Sequence, residues 1–347
     1  MRHYLGIDVG TSGCRACVID DQAGILAEAT VGLPAPLTRD GGSEQDGELW
    51  WQALCRLLDD LSQRTPLAGI AAIGLDGTSS TLLCCTGDGT PLGPALMYND
   101  ARSTAEAACI AGIAPATSGA HGASSSLAKL LFLQSQGLTR DATHALHQAD
   151  WLLGRLAGRY GVTDENNALK LGYDPVQRCW PEWLDALDLN RRLLPRVVPP
   201  GQVTGTLDER WRQRWGFSET THIVSGTTDS TAAFLATGAA PGEAVTSLGS
   251  TLVLKVYTDR PVFEPRHGIY SHRLGDLWLA GGASNSGGTV LRQCFSPGEI
   301  ESFTRQLRPS VPTGLDYYPL PATGERFPEN DPMLSPRLQP RPPEDAV

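Results

Sequence analysis

A strand, a turn built from glycine and hydroxyl residues, and a second strand open the chain, and this order leaves few folds available. His3–Val9 and Cys14–Ile19 are short β-rich runs separated by Gly10-Thr11-Ser12-Gly13. Asp21-Gln22-Ala23-Gly24 supplies another turn, and Ile25–Val31 reads as a third strand. The pattern predicts an antiparallel meander rather than a βαβ unit. A dinucleotide site needs G-x-G-x-x-G ahead of a helix, and a P-loop needs G-x-x-x-x-G-K-[ST]. Here a strand follows the turn, which argues against both, and a nicotinamide-dependent oxidoreductase fails because no strand–GxGxxG–helix unit is present.

Next comes a helical pattern with Asp46 and Glu48 near its start and Leu49, Trp50, Ala53, Leu54, Leu57, Leu58 and Leu61 at helical spacing. Strands are predicted at Ile70–Leu75 and Leu82–Cys85, and residues 101–160 read as mainly helical, with Ser126–Gln136 and Asp150–Leu156 the clearest examples. The segment from Pro195 to Gly205, rich in Pro, Val and Gly, is expected to be a surface connection. Ile223–Ser225 reads as a buried strand and Ser230–Thr237 as a small-residue helix. A new β-rich section begins after Gly238-Ala239-Ala240-Pro241-Gly242. The class is therefore α/β with mixed sheets.

At ~150 residues per domain, 347 residues suggest about two domains, placed at 1–238 and 239–347. An apolar share of 41% against 19% charged residues excludes global disorder. The net charge of −10, with no basic stripe, argues against nucleic acid as a partner. No apolar run approaches the ~18 residues that would span a bilayer. Asp8 interrupts the opening apolar stretch too early for a signal peptide, so a soluble, cytoplasmic protein is expected. Cys14-x-x-Cys17 has redox spacing but falls inside a predicted strand, and no second pair completes a metal site; reduced, half-buried thiols are expected. From Pro319 onward the prolines at 319, 321, 328, 332, 336, 340, 342 and 343 forbid regular helix or central strand. A domain seldom finishes on such a segment, and the chain reads as cut short.

Three constellations could carry chemistry. In Gly6-Ile7-Asp8-Val9-Gly10-Thr11-Ser12-Gly13 a carboxylate ends a strand and a tight turn follows. Successive N–H groups in such a turn can form an anion-binding nest, and a carboxylate can hold hydrated Mg2+ against phosphates. A structural turn with a capping aspartate is the alternative. Val245-Thr246-Ser247-Leu248-Gly249-Ser250-Thr251-Leu252 repeats the device, with Gly249 matching Gly10 and Ser247 standing where the first copy has Asp8. Two such turns suggest two halves clamping one polyphosphate. The third constellation is Gly226-Thr227-Thr228-Asp229-Ser230, an aspartate at a strand-to-helix junction that reads either as a helix N-cap or as a base accepting a proton from an attacking hydroxyl.

Together these segments resemble the FGGY family of carbohydrate kinases. Further matching stretches are Gly74-Leu75-Asp76-Gly77-Thr78-Ser79, Met97-Tyr98-Asn99-Asp100-Ala101-Arg102, Gln148-Ala149-Asp150-Trp151-Leu152 and 162–168. The resemblance implies a two-lobed actin/hexokinase-like (ribonuclease H-like) fold, mixed sheets flanked by helices, with a cleft between the lobes. It puts Asp229 at the catalytic base and Asp8 at the Mg2+-associated acid that also touches the sugar. Gly10, Thr11, Ser12 and Gly13 match the first ATP phosphate loop, and Gly249, Ser250 and Thr251 the second. Thr78, Ser79 and Asp100 match segments lining the sugar pocket, with Ser79 and Asp100 the expected contacts. Asp150 and Asp164 match too, with structural roles expected.

Within the family the chain looks most like ribulokinase and xylulokinase-like enzymes. Xylulokinases commonly carry Met-His-Gly after the glycine-rich turn, where this chain has Ser79-Ser80-Thr81. The resemblance therefore implies ATP-dependent phosphorylation of D-ribulose first, xylulose second, and glycerol or another sugar third, with Mg2+ and ATP required. Gly281-Gly282-Ala283-Ser284-Asn285 only superficially resembles the family's adenosine motif, which comes later than this chain extends. That departure makes a sugar-binding or regulatory homologue without useful catalysis the rival reading. The pattern says nothing of oligomeric state.

Overall fold

A computed structural model of the chain describes residues 2–312 and 317–337, so Pro340, Pro342 and Pro343 lie outside the described residues. The chain forms two compact units, Met1–Ala236 with His272–Gly275, and Thr237–Ser271 with Asp276–Val347.

The opening meander is present: His3–Val9, Gly13–Asp20 and Ile25–Gly32 pair antiparallel in sequence order. On its other edge His3–Val9 pairs in parallel with Ile70–Gly77, which in turn pairs in parallel with both His222–Val224 and Thr227–Thr228. The helix Gly47–Arg64 covers this sheet. Asp46 caps it by accepting a hydrogen bond from the Glu48 amide at 2.9 Å, with Glu48 in the first turn and Arg64 in the last complementing the helix dipole. Trp50, Leu54, Leu57, Leu58 and Leu61 from one helix face pack in a common core with Leu5, Ile7, Val9, Ile73 and Leu75 of the sheet. Each fully buried aliphatic side chain contributes about 1.5–3 kcal/mol relative to exposure, so this interface fixes where the strand ends lie.

Helices Thr104–Ile113, Ser126–Ser135 and Gln148–Ala157 occupy the predicted helical region, but His144–His147 forms a strand within it, paired antiparallel with Leu82–Cys85. The 195–205 segment also differs from expectation. Arg196–Val198 pairs in parallel with Val162–Asp164, and Val203–Thr206 pairs with His222–Val224. Val203–Thr206 lies at a sheet edge, where one row of ladder bonds is not needed, so its Pro- and Gly-rich lead-in does not prevent strand formation.

In the second unit Ala244–Leu248, Leu252–Thr258 and Leu277–Ser284 pair antiparallel in that order. The proline-rich stretch from 317 to 337 contains no helix or extended strand, in accord with its composition. It is anchored by Glu325, whose buried carboxylate accepts from Ser284 Oγ at 2.6 Å, the Asn285 amide at 2.7 Å and Tyr318 Oη at 3.0 Å. Burial pushes the Glu325 carboxyl up, but these donors and the Arg326 amide outweigh it and hold the group below its ordinary range.

Candidate active site

Three parallel strands bring three aspartates to one sheet end. In the register of the sheet, Asp8 stands opposite Asp76, and Asp76 opposite Thr227. Residues in register on neighbouring parallel strands point to the same face, about 4.8 Å apart. Thr227 and Thr228 then lead into the helix Asp229–Leu235. This close approach requires glycine at 226, because a Cβ there would fall 2.2 Å from the Leu75 carbonyl oxygen. Asn166 steadies the strand by donating from Nδ2 to Thr227 Oγ1 at 3.1 Å.

Asp229 is the first residue of its helix, not the N-cap, which is Thr228. Its Oδ1 accepts from the Ser230 amide at 2.6 Å. Asp8 pairs across the hairpin with Arg15 at 2.8 Å, on a partly exposed face. Asp76 shares a hydrogen bond with Asp8 and is pushed up to about 8, by burial first and then by the charges of Asp8 and Asp229. At neutral pH it is a neutral carboxyl between two acids. The role of Asp76 is not marked by its segment alone, although Asp76-Gly77-Thr78 echoes the Asp8-x-Gly10-Thr11 order at the end of the neighbouring strand.

Next to these acids the Gly10–Gly13 turn is closed by the Gly10 amide donating to the Gly13 carbonyl at 3.0 Å. Thr11 is half-buried and Ser12 exposed. Glycine at 13 lets the hairpin pass close to Val31, whose carbonyl oxygen would lie 2.9 Å from an added Cβ. On the adjoining strand end, Thr78–Thr81 forms a turn, with the Thr81 amide donating to the Thr78 carbonyl at 3.3 Å. Gln148 Oε1 accepts from both the amide and the hydroxyl of Thr78, at 3.0 and 2.9 Å. This leaves Ser79 half-buried at the tip.

Asp100 is placed differently from the expected sugar contact. It is fully buried and its oxygens are engaged by Arg102 Nη2 at 2.7 Å, Arg102 Nε at 3.1 Å and the Ser43 amide at 2.8 Å. Its oxygens therefore hold Arg102 and Ser43 in place. Asp150 and Asp164 are likewise interior. Asp150 Oδ2 accepts from the amide and Nδ1 of His147, at 3.2 and 3.1 Å, and Asp164 Oδ1 caps a short helix by accepting from the amides of Asn166 and Asn167. Burial, with the Asp150 charge, pushes Asp164 up to about 7.

In the second unit, Gly249, Ser250 and Thr251 form the turn of the Ala244–Leu248/Leu252–Thr258 hairpin, the strand–turn–strand device read from sequence. The Gly288 amide donates to the Gly249 carbonyl at 2.8 Å, and a Cβ at Gly287 would fall 2.7 Å from the Ser250 carbonyl oxygen. Arg292 Nη2 donates to Ser250 Oγ at 3.0 Å, a cation at this turn that no sequence pattern flagged. Gly282 is packed against Phe327, and Asn285 Nδ2 donates to the Gly324 carbonyl at 2.9 Å, so the GGASN stretch is occupied by the chain itself.

The profile of the FGGY family of carbohydrate kinases, N-terminal domain, matches residues 3–236. The chain belongs to the FGGY family of carbohydrate kinases. It is 32% identical over 288 residues to the xylulose kinase of Streptomyces rubiginosus and 28% identical over 289 residues to that of Escherichia coli K12, each match covering 79% of this chain. The chain spans only 58% and 59% of the lengths of those two relatives. Among solved structures, a xylulose kinase from Brucella ovis superposes with a TM-score of 0.89 at 24% identity, covering 99% of this chain and 75% of the other. A gluconate kinase from Lactobacillus acidophilus gives 0.84 at 22% identity, with 95% and 70% covered. The fold class is accordingly that of these FGGY kinases, actin/hexokinase-like α/β.

The site is compatible with a nucleotide-borne Mg2+ rather than a protein cage. Among the described residues no group of three or more His, Cys, Asp or Glu is arranged so that it could hold a metal ion by itself, and the three neighbouring aspartates are no exception. Mg2+ is commonly held by one or two carboxylates together with substrate phosphates and waters, and Asp8 beside the Gly10–Gly13 turn suits that partial role. The Cys14 thiol is buried and pushed up to about 12 by burial, so Cys14-x-x-Cys17 offers no thiolate for metal or redox chemistry. Among the described residues no helix is long and apolar enough to cross a membrane.

Proposed function

We propose that the chain is an ATP-dependent kinase acting on a primary hydroxyl of a ketopentose, with xylulose ahead of ribulose as the acceptor. The observation that carries this is the convergence of Asp8, Asp76 and Asp229 beside the Gly10–Gly13 turn. Asp229 accepts the proton of the attacking hydroxyl as transfer proceeds. It stands in the first turn of its helix, where its carboxylate accepts from the Ser230 N–H. A neutral Asp76 spares the site a third negative charge next to the phosphates. The turn amides at Thr11 and Ser12 are assigned to phosphate oxygens. Mg2+, held by Asp8 and the phosphates, would neutralise charge on the triphosphate. Ser79, at the tip of the neighbouring turn, is assigned to the sugar; Asp100 acts on the pocket through Arg102.

The names of the matched relatives support xylulose over the ribulose reading suggested by sequence. Ribulose stays as the second reading because Ser79-Ser80-Thr81 makes a small, hydroxyl-lined turn. The test is coupled ADP release with each sugar, on the native sequence and on Asp229→Asn. The proposal expects sugar-stimulated release with the larger kcat/KM for D-xylulose, and a loss of about a thousandfold or more in Asp229→Asn with sugar binding retained. A larger kcat/KM for D-ribulose selects the second reading. Sugar binding without stimulated ADP release would establish a binding or regulatory homologue instead.

A further inference from the structure

Lys129 puts an amine where its neighbours on the helix are aliphatic. It lies on the helix Ser126–Ser135, which also buries Leu127, Ala128, Leu130, Leu131 and Leu133, and it is itself completely buried. Its Nζ donates to the Ser80 carbonyl at 2.8 Å and to the Met97 carbonyl at 2.7 Å. Removing an ammonium from water is costly, and a well-packed apolar side chain of the same length would avoid that cost. What the amine alone supplies is a link between two turns distant in sequence.

One turn carries Ser79, which the kinase reading assigns to the sugar, and the other carries Asp100. Ser80 follows Ser79 and adopts φ +67°, a left-handed conformation that a non-glycine residue holds only when its surroundings impose it. Met97 opens the turn that ends at Asp100, whose amide donates to the same Met97 carbonyl at 2.9 Å. We propose that Lys129 is a positioning residue for the acceptor sugar: by tying the Ser80 carbonyl to the Met97 carbonyl, it sets where the Ser79 hydroxyl is presented. This rests on the kinase reading for its functional consequence, although not for the structural one. Burial lowers the amine to about 7, opposed by the Asp100 charge. A neutral amine still has two hydrogens for the two carbonyls, so the link persists in either state.

The experiment compares Lys129→Met with the native sequence by two readouts. Steady-state kinetics should show the KM for D-xylulose raised about tenfold or more, with the KM for ATP changed by less than about twofold. Hydrogen exchange should quicken about tenfold at the Thr81 and Asp100 amides and stay unchanged in the strand His3–Val9. If the native chain shows no sugar-stimulated turnover, the kinase reading falls and exchange alone decides the inference. Should Lys129→Met not fold, Lys129→Gln, which keeps a polar donor on a side chain one bond shorter, takes its place and is expected to give shifts in the same direction. A folded variant with unchanged sugar KM and unchanged exchange overturns the proposal, as does failure of both variants to fold.

Discussion

Asp76→Asn isolates the carboxyl at the centre of the candidate site. The folded state raises Asp76 from 3.8 to about 8, through burial and through Asp8 and Asp229. Below pH ~4 the group is protonated in both folded and unfolded chains and costs nothing. As pH rises from there toward 8, the unfolded chain ionises this group while the folded chain cannot, and the native sequence loses stability. Above 8 both states are ionised and the loss is constant. At about 1.4 kcal/mol per pK unit, a shift of roughly four units amounts to a ceiling of about 6 kcal/mol, large against a typical total stability of about 5–15. Asparagine is close in shape, can donate to Asp8 as the protonated acid does, and carries no charge to desolvate. Urea melts of both proteins at several values between pH 4 and 9 should give a stability difference that moves in the variant's favour by up to about 1.4 kcal/mol per pH unit, then levels above pH 8. A difference that is the same at every pH would mean that Asp76 is ionised in the folded protein, and the neutral-carboxyl argument would be refuted.

Gly226→Ala should cost about 1–3 kcal/mol or more in urea melts and lower kcat, because the new Cβ meets the Leu75 carbonyl and pushes Thr227–Asp229 away from Asp76. Wild-type stability and turnover in that variant would show that the approach at Gly226 is not needed. In the second unit, Glu325→Gln should destabilise by about 1–3 kcal/mol at neutral pH, since a buried acceptor of several hydrogen bonds loses its charge. Because the Glu325 carboxyl is held below its ordinary value, its contribution is present above pH ~4.5 and fades as pH falls through the lowered pKa. The gap between variant and native melts should therefore close in acid, and a gap independent of pH would contradict the charge-based account.

Much of the first unit was legible in the sequence because its signals are local. The glycine and hydroxyl turn between two β-rich runs dictated the meander, and the spacing of Trp50, Leu54, Leu57 and Leu61 dictated the covering helix and its buried face. The carboxylates Asp8 and Asp229 could be singled out because each sits where a strand gives way to a small-residue segment. Val203–Thr206 and His144–His147 were not legible as strands: each is only four residues long and is stabilised by partners elsewhere in the chain.

The chemical state of the site is another matter. Asp76 is raised to about 8 first by burial and then because Asp8, 68 positions earlier, and Asp229, far later, are brought beside it by parallel strands that pair only in the finished sheet. Asp100 is taken up by Arg102 and the Ser43 amide, and Lys129 is buried between two carbonyls. The sequence alone determined which residue types stand at the strand ends and turns, since backbone preference and hydrophobic period act over a few residues. Only the tertiary structure decided which acid keeps its proton and which polar side chain is already spent, because desolvation and charge act through space between residues that the chain itself holds far apart.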